Sequence, residues 1–309
     1  MGAGRGGLIV RRLLRALFVL WGTSTVVFFI IHLSGDPVAL LLPPEAGVEE
    51  IERVRHLYGF DQPLVVQYAI FLQHLAQGDF GQSIRFGQPA LEVVLQRVEP
   101  TLELALLAIL LAMVLAFPIG IFGALRANTK LGEGLMGIAL VGQSTPIFFF
   151  GIVLILVFAA QLHWLPTGGR GDPKQLIMPV FTLAMFTMAS LARLTRSSML
   201  DVMNQDYIRT ARAKGASELR VIVHHALKNS ALPIVTLIGL QFGGLLGGAV
   251  VTETIFSWPG MGRLVIQAIG ARDYPIVQAA VFLAAVWFII VNTIVDLAYV
   301  YLDPRVKYV

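Results

Sequence analysis

Six stretches of the chain are apolar at nearly every position rather than on one face, approximately Leu13 to Leu33, Thr101 to Leu125, Leu135 to Ala160, Leu176 to Leu194, Leu232 to Phe256 and Ile276 to Leu302. Each is long enough to span a membrane, because roughly 20 apolar residues in a helix cross the hydrocarbon with every backbone hydrogen bond kept inside the segment. The first follows Arg11, Arg12 and Arg15 as a secretory leader would. Its apolar run of about 18 residues exceeds the ~7–15 of a leader core, however, and no small-x-small cleavage site follows, so it reads as a retained anchor.

The polar intervals carry weaker periodicities. After the first span, "GVEEIERVRHLYGFDQPL" sets Ile51, Val54 and Tyr58 at helical spacing before Gly59 and Pro63, and "LVVQYAIFLQHLAQGDFG" predicts a second short helix ending near Gly78. Ser34 to Glu99 therefore reads as a small helical cap. A second polar interval runs from Thr195 to Ala231. There Ile208, Ala211, Gly215, Leu219 and Ile222 form one stripe, with Arg209, Arg212, Lys214 and Arg220 largely off it. Glycine in a helix interior is about 1 kcal/mol worse than alanine, so Gly215 predicts a turn between two short helices.

Composition agrees with a membrane protein: 56% of residues are hydrophobic and 14% charged, with a mean hydropathy of +0.76. Charge then orients it. Of 23 Lys and Arg, the short segments on one side hold Arg5, Arg11, Arg12, Arg15, Arg126, Lys130, Arg193, Arg196, Arg209, Arg212, Lys214, Arg220, Lys228, Arg305 and Lys307, leaving eight for the other. By the positive-inside rule the first side, with both termini, is cytoplasmic and the cap lies outside. This asymmetry accounts for the basic balance without a nucleic-acid partner. Trp164, Trp258 and Tyr274 fall where interfacial aromatics are expected. The chain has no cysteine, which removes disulfides and thiolate metal sites.

Catalytic equipment is missing. No Lys follows a Gly and no Glu follows a His, which excludes the G-x-x-x-x-G-K-[ST] phosphate loop and the H-E-x-x-H zinc site. His224 and His225 would point about 100° apart on a helix, poorly placed to share a ligand. Glu103, Glu253 and Asp296 are the acidic groups inside apolar stretches, each near a span end, and read either as a proton route or as partners of neighbouring helices. Gly239, Gly243 and Gly247 recur every four residues, the ladder that lets a second helix approach closely. It serves either a contact within this bundle or a seam with another membrane subunit. In "GQSTP", Gln143, Ser144 and Thr145 precede Pro146, which can kink the third span. With Gln241 and Glu253 these groups read as lining a transport route or as polar glue between helices.

The segment "DYIRTARAKGASELRVIVHHALKNSALPIVTLIGLQFG" resembles the cytoplasmic-loop signature of bacterial ABC importer permeases, in particular the first permease of the dipeptide, oligopeptide, glutathione and nickel group. The general pattern is E-A-A, three residues, Gly, nine residues and I-x-L-P. On this chain it falls on Arg209-Thr210-Ala211, Gly215 and His225-Ala226-Leu227-Lys228. The opening Glu and closing Pro are absent, and "RTARAKG" is the variant of the peptide-type members. "HLSGDPV", "YGFDQPLVVQY", "GDFGQSI", "TETIFSWPGMGRL", "RDYPIVQA" and "DPRVKY" extend the resemblance over nearly the whole chain.

The resemblance implies an all-α integral membrane protein of the type I ABC importer permease fold, with six transmembrane helices in the bacterial inner membrane. Its implied regions are an anchor and extracytoplasmic segment (1–96), a transmembrane domain (97–298) and a cytoplasmic tail (299–309). The implied role is that of a permease, not an enzyme, carrying peptides or glutathione, with nickel chelates or a stand-alone carrier as alternatives. Asp206, Tyr207, Ile208, Arg209, Thr210, Ala211, Arg212, Ala213, Lys214, Gly215 and Ala216 would form the helix that couples to an ATPase subunit. In that reading Arg209, Arg212 and Lys214 supply docking charges, Ile208 and Ala211 the buried contact, and Gly215 the turn. The implied partners are a homologous second permease, two ATPases that hold the ATP and Mg, an extracytoplasmic binding protein and membrane lipid. The permease itself would bind no cofactor or metal.

Overall fold

The computed structural model describes residues 5–33, 47–57 and 61–302. Their helices are α1 (Arg5–Leu33), α2 (Val48–Leu57), α3 (Leu64–Ala76), α4 (Ala90–Leu125), α5 (Lys130–Ser144), α6 (Ile147–Leu154), α7 (Lys174–Met203), α8 (Asp206–Ala213), α9 (Glu218–Arg220), α10 (Lys228–Gly248), α11 (Val250–Ile255), α12 (Met261–Gly270) and α13 (Tyr274–Leu302). Wider π-helical turns extend α6 through Ile155–Gln161 and join α9 to α10 through Val221–Leu227. Two compact units emerge, 1–99 with 263–287 and 100–262 with 288–309.

In the first unit, aromatic side chains hold α1 to α3. Phe28 meets Tyr68 and Phe71 at 5.2 Å between ring centroids. Thr25 Oγ1 lies 2.6 Å from the Tyr68 hydroxyl, and His32 Nε2 lies 3.0 Å from Gln67 Oε1. The short helices expected in the cap are α2 and α3, and α3 gives way to Gly78 at φ +73°. Polar side chains thus tie α3 to an otherwise apolar anchor.

In the second unit, α7 is the central element, packing against α5, α6 and α10. Small residues permit the approach: a Cβ at Gly142 would come 2.9 Å from the Met185 carbonyl, and one at Gly120 would meet Thr195 Cβ at 2.6 Å. Leu183, Ala184, Met188, Ala189, Leu191, Ala192 and Met199 are buried along α7 as a result.

Among the described residues, five helical stretches are long and apolar enough to cross a membrane, Val10–Leu33, Ala90–Leu125, Lys174–Met203, Glu218–Leu245 and Tyr274–Ala298. The third apolar stretch of the sequence, Leu135 to Ala160, departs from the continuous, kinked span expected: Lys130–Ser144 and Ile147–Gln161 meet at 97°. Proline explains the break. Pro146 has no N–H, and its ring drives the preceding residue out of helical geometry, leaving Thr145 extended at φ −89°, ψ 124°. Thr145 then closes α5 by donating both its N–H and its hydroxyl to the Val141 carbonyl, at 3.3 and 2.9 Å.

The fifth stretch also divides. Ala249, with ψ −4°, separates α10 from α11, and the chain returns so closely that a Cβ at Gly262 would sit 2.8 Å from Val250 Cα. Trp258 is likewise not an interfacial aromatic. It is 1% exposed, because its indole N–H donates to the Pro100 carbonyl at 2.9 Å inside the fold. Trp164 is exposed, in keeping with an interfacial position.

Candidate coupling loop and transport-path residues

The polar interval folds as helix, turn, helix. Asp206 opens α8, where its carboxylate suits the positive end of the helix dipole, and Thr210 Oγ1 donates to the Asp206 carbonyl at 3.0 Å. The turn comes at Gly215, with φ +81°, a conformation L residues rarely adopt. Ala216 N–H donates to the Ala211 carbonyl at 3.2 Å and Gly215 N–H to the Arg212 carbonyl at 2.9 Å. Those paired bonds are a Schellman termination, which satisfies the orphan carbonyls of the last turn. Ser217 (φ −63°, ψ 149°) then starts the next helix.

Across this turn Arg212 grips Glu218 with two parallel bonds, Nε to Oε1 at 2.8 Å and Nη2 to Oε2 at 3.2 Å. Arg209 makes a looser contact, 3.7 Å to Asp206 one turn away, with both side chains highly exposed. Such solvated pairs contribute little, so the loop owes its shape mainly to backbone bonds and burial. Arg209, Thr210, Arg212, Ala213, Lys214 and Gly215 all face solvent, and Ala211 and Ala216 are half-buried.

Ile208 differs from its expected role. It is fully buried within this chain, because α8 rests on the π-helical segment Val221–Leu227. Its burial anchors the loop to its own subunit and leaves no surface for a partner. The large apolar groups that do project are Tyr207, 42% exposed, and Leu219, 73% exposed. Beneath the loop, Ala124, Met199 and Ala226 form a small core with Leu200, Met203 and Ile222 around it. Ser230 Oγ, at 3.1 Å from the Ser198 carbonyl, and Arg196 Nε, at 3.1 Å from the Gly123 carbonyl, tie neighbouring helices to α7. α8 is thus connected to α7 and α10 through Val221–Leu227, which packs against all three.

The transport-path candidates fall into separate settings. Gln143 and Ser144 are exposed at the end of α5, and Thr145 lines a small open cleft with Val141, Gly142, Ile147, Phe150, Thr182, Met185 and Phe186. An interrupted helix at membrane depth is tolerated where it is covered by protein or lines a water-filled cavity. Gln241 is half-buried on α10. Glu253 lies elsewhere, fully buried on α11. It accepts a hydrogen bond from Thr101 Oγ1 at 2.7 Å, and Thr101 Oγ1 in turn accepts from Met261 N–H at 2.8 Å. Its carboxyl also fills the space a Cβ at Gly260 would need. This geometry suits a strut joining the start of α4 to the Trp258–Gly262 turn.

Gly239 and Gly243 pack against the last helix of the same subunit: a Cβ at Gly243 would meet Phe288 at 3.1 Å, and one at Gly239 would overlap Val295. The surroundings of Gly247 lie outside the described residues. Glu103 pairs with Arg170, whose Nη2 is 2.8 Å and Nε 2.9 Å from Glu103 Oε2, while its guanidinium sits 5.9 Å from the Trp258 ring centroid. Among the described residues no group of three His, Cys, Asp or Glu could hold a metal ion.

The family model for the binding-protein-dependent transport system inner membrane component matches residues 116–308, and that for the N-terminal region of such components matches residues 7–106. The chain belongs to this permease family. The dipeptide transport system permease protein of Alkalihalophilus pseudofirmus is 40% identical over 97% of this chain and 98% of its own length. The glutathione transport system permease protein of Escherichia coli is 41% identical over the same shares, 97% and 98%. Among solved structures, an inward-facing MetNI methionine ABC transporter aligns with a TM-score of 0.59 at 17% identity, over 68% of this chain and 96% of that chain. That likeness concerns the fold.

The resemblance carried by "RTARAKG" and its companion strings is thus borne out. This permease is an inner-membrane transport component rather than an enzyme. Sequence reasoning missed the Glu103–Arg170 pair and the contacts that bury Trp258, which join residues far apart in the chain. A signal was present for the second: Trp258 stands directly before Pro259 and Gly260, which marks a turn rather than a free helix face.

Proposed function

We propose that this permease forms half of the translocation path of an ATP-driven ABC importer for peptides, either di- or oligopeptides or glutathione. The observation that carries the cargo class is identity of 40% and 41%, along nearly the full length, to permeases named for dipeptide and for glutathione transport. The path is completed by a homologous second permease, energy comes from two ATPase chains that hold ATP and Mg, and an extracytoplasmic binding protein delivers the cargo.

In this reading the bent pair α5–α6 counts as one span, giving six spans with both termini cytoplasmic. Residues 1–96 form the anchor and outer cap, 97–298 the transmembrane domain and 299–309 the tail. Asp206 to Ala216 is the coupling segment. Its docking face is the solvent side of α8, with Tyr207, Arg209, Thr210, Arg212 and Lys214, continued by Leu219, while Ile208 transmits the force inward. Gln143, Ser144, Thr145 and Gln241 line the path; Glu253 positions the α4 and Trp258 elements beside it.

The test is uptake by the four-chain complex with its binding protein in proteoliposomes containing internal ATP. Radiolabelled dipeptide or glutathione should accumulate against its gradient only with all components and ATP present. Accumulation by the permease alone under an ion gradient would overturn the importer reading. ATP-driven uptake of a nickel chelate with neither peptide class transported would overturn the cargo.

A further inference from the structure

α3 is built the wrong way round for water. None of its 13 residues is buried, and from Gln62 to Gly78 the sequence holds no Lys, Arg, Asp or Glu. The polar side chains at its centre turn inward, to α1. Thr25 Oγ1 donates to the Trp21 carbonyl at 2.6 Å, so the Tyr68 hydroxyl donates to Thr25, and Gln67 Oε1 lies 3.0 Å from His32 Nε2. The apolar side chains turn outward. Val65 is 79% exposed, and Leu64, Val66, Ala69 and Ile70 are exposed beside it.

In water such a helix lacks support. Helices of this length are marginal on their own and gain their stability by burying an apolar face, and here the apolar face is the bare one. An apolar stretch of about 10–14 residues is also too short to cross a membrane, which leaves an interfacial position.

Depth identifies what covers that face. α1 carries the span Val10–Leu33, and α3 reaches back along it to Thr25 instead of resting on its last turn. From Thr25 to Leu33 the helix rises about 12 Å at 1.5 Å per residue, close to the ~5–10 Å that interfacial helices sink. Around this contact α1 is bare as well: Val26, Phe29, Ile30 and Leu33 are exposed, and the Phe29 ring stacks 5.9 Å from Tyr68. The outward face of α3 therefore continues the lipid-facing surface of the anchor. A second membrane helix fits less well, because such seams use small residues for close approach and this face presents Val65, Val66 and Ile70 with Ala69 alone among them small.

We propose that α3 is an interfacial membrane helix, seated in the leaflet at which α1 ends, with Val65, Val66, Ala69 and Ile70 immersed in lipid acyl chains. Bonds to α1 satisfy Gln67 and Tyr68 in that setting. Gln62 at one end, and Gln73, His74 and Gln77 at the other, bound the apolar patch and meet the headgroups. The cap is thus in part a membrane element.

The test uses the complete transporter in vesicles, with its partner chains free of cysteine. This chain has none, so Val65→Cys, Ile70→Cys and, on α2 beside Glu49 and Glu50, Val48→Cys each carry a single nitroxide label. Power saturation reads collisions with oxygen, which concentrates in acyl chains, and with a water-soluble nickel chelate. The oxygen-to-nickel ratio should be at least fivefold higher at positions 65 and 70 than at 48. Equal ratios would place α3 in water and overturn the proposal. Low contact with both reagents at 65 and 70 would mean that protein covers the face, the second permease or another part of this chain, and would overturn it too. In the unmodified complex, a carbene reagent dissolved in the acyl chains should tag Leu64–Ala76 as well as Val10–Leu33. Tagging of α1 without α3 overturns the proposal even where the labelled variants assemble poorly.

Discussion

Arg212 and Glu218 face each other across the Gly215 turn as a two-bond fork, 2.8 and 3.2 Å long, on a surface otherwise held by backbone bonds. The pair is solvated, so its removal should leave insertion intact. Arg209→Glu with Arg212→Glu should cut ATP-dependent uptake at least tenfold while ATP hydrolysis continues. The exchange Arg212→Glu/Glu218→Arg separates the two roles of Arg212. It restores the fork but reverses the charge that a docking partner meets, so uptake should remain low; recovery would mean that the turn, not the docking charge, is what matters.

Pro146 sets the break in the third apolar stretch. With spin labels at Leu131→Cys and Leu156→Cys, both exposed positions, the right-angle bend places the labelled backbones about 27 Å apart, against about 38 Å for a continuous helix rising 1.5 Å per residue. Pro146→Ala should shift the distance distribution toward the longer value and lower uptake. A distance unchanged in the variant would assign the bend to packing against α7 instead of to proline.

Thr101, Glu253 and Gly260 act as one buried unit. Thr101→Val leaves both the Glu253 carboxyl and the Met261 N–H without that partner, a loss of about 1–3 kcal/mol. Gly260→Ala places a methyl group where the carboxyl sits and should be worse. Glu253→Gln keeps an acceptor oxygen and should be mildest. Thermal unfolding midpoints in detergent should follow that order, with Glu253→Gln closest to the wild type.

Asp79 closes the end of α3. The Gly81 N–H bond to its Oδ1, first, and the hydrogen bond from His74, second, hold its carboxyl below the ordinary carboxylate value. A group whose pKa is lowered by folding stabilises above its unfolded pKa and loses that contribution as pH falls through the folded value. Being largely exposed, it contributes little to the total. Hydrogen exchange at the Gly81 amide should be slow at pH 5 and become relatively faster only below the ordinary carboxylate range, after correction for intrinsic rates, and Asp79→Asn should remove the transition.

Much of this was legible in sequence because its causes are local. Apolar runs mark spans without tertiary knowledge, and Gly215 announced its turn because only a residue without a Cβ enters φ +81° at little cost. Helical stripes were less informative. Ile208 belongs to an apolar face, but whether that face meets a partner or its own chain depends on Val221–Leu227, which returns beneath it. Pro146 was visible, whereas the size of the bend was not, since a missing N–H permits a kink or a break and the closing bonds from Thr145 decide between them. Ser83 and Asp273 bond across 190 residues, a pairing that no periodicity encodes.

The central claim is that the solvent face of α8 is gripped by an ATP-cleaving subunit. The chain lacks cysteine, so Tyr207→Cys creates a single attachment point for a benzophenone photocrosslinker. Irradiation of the active transporter in its membrane should link position 207 to the ATPase chain, with a yield that changes when ATP is added. Adducts with lipid alone, in membranes that still accumulate cargo, would contradict the account.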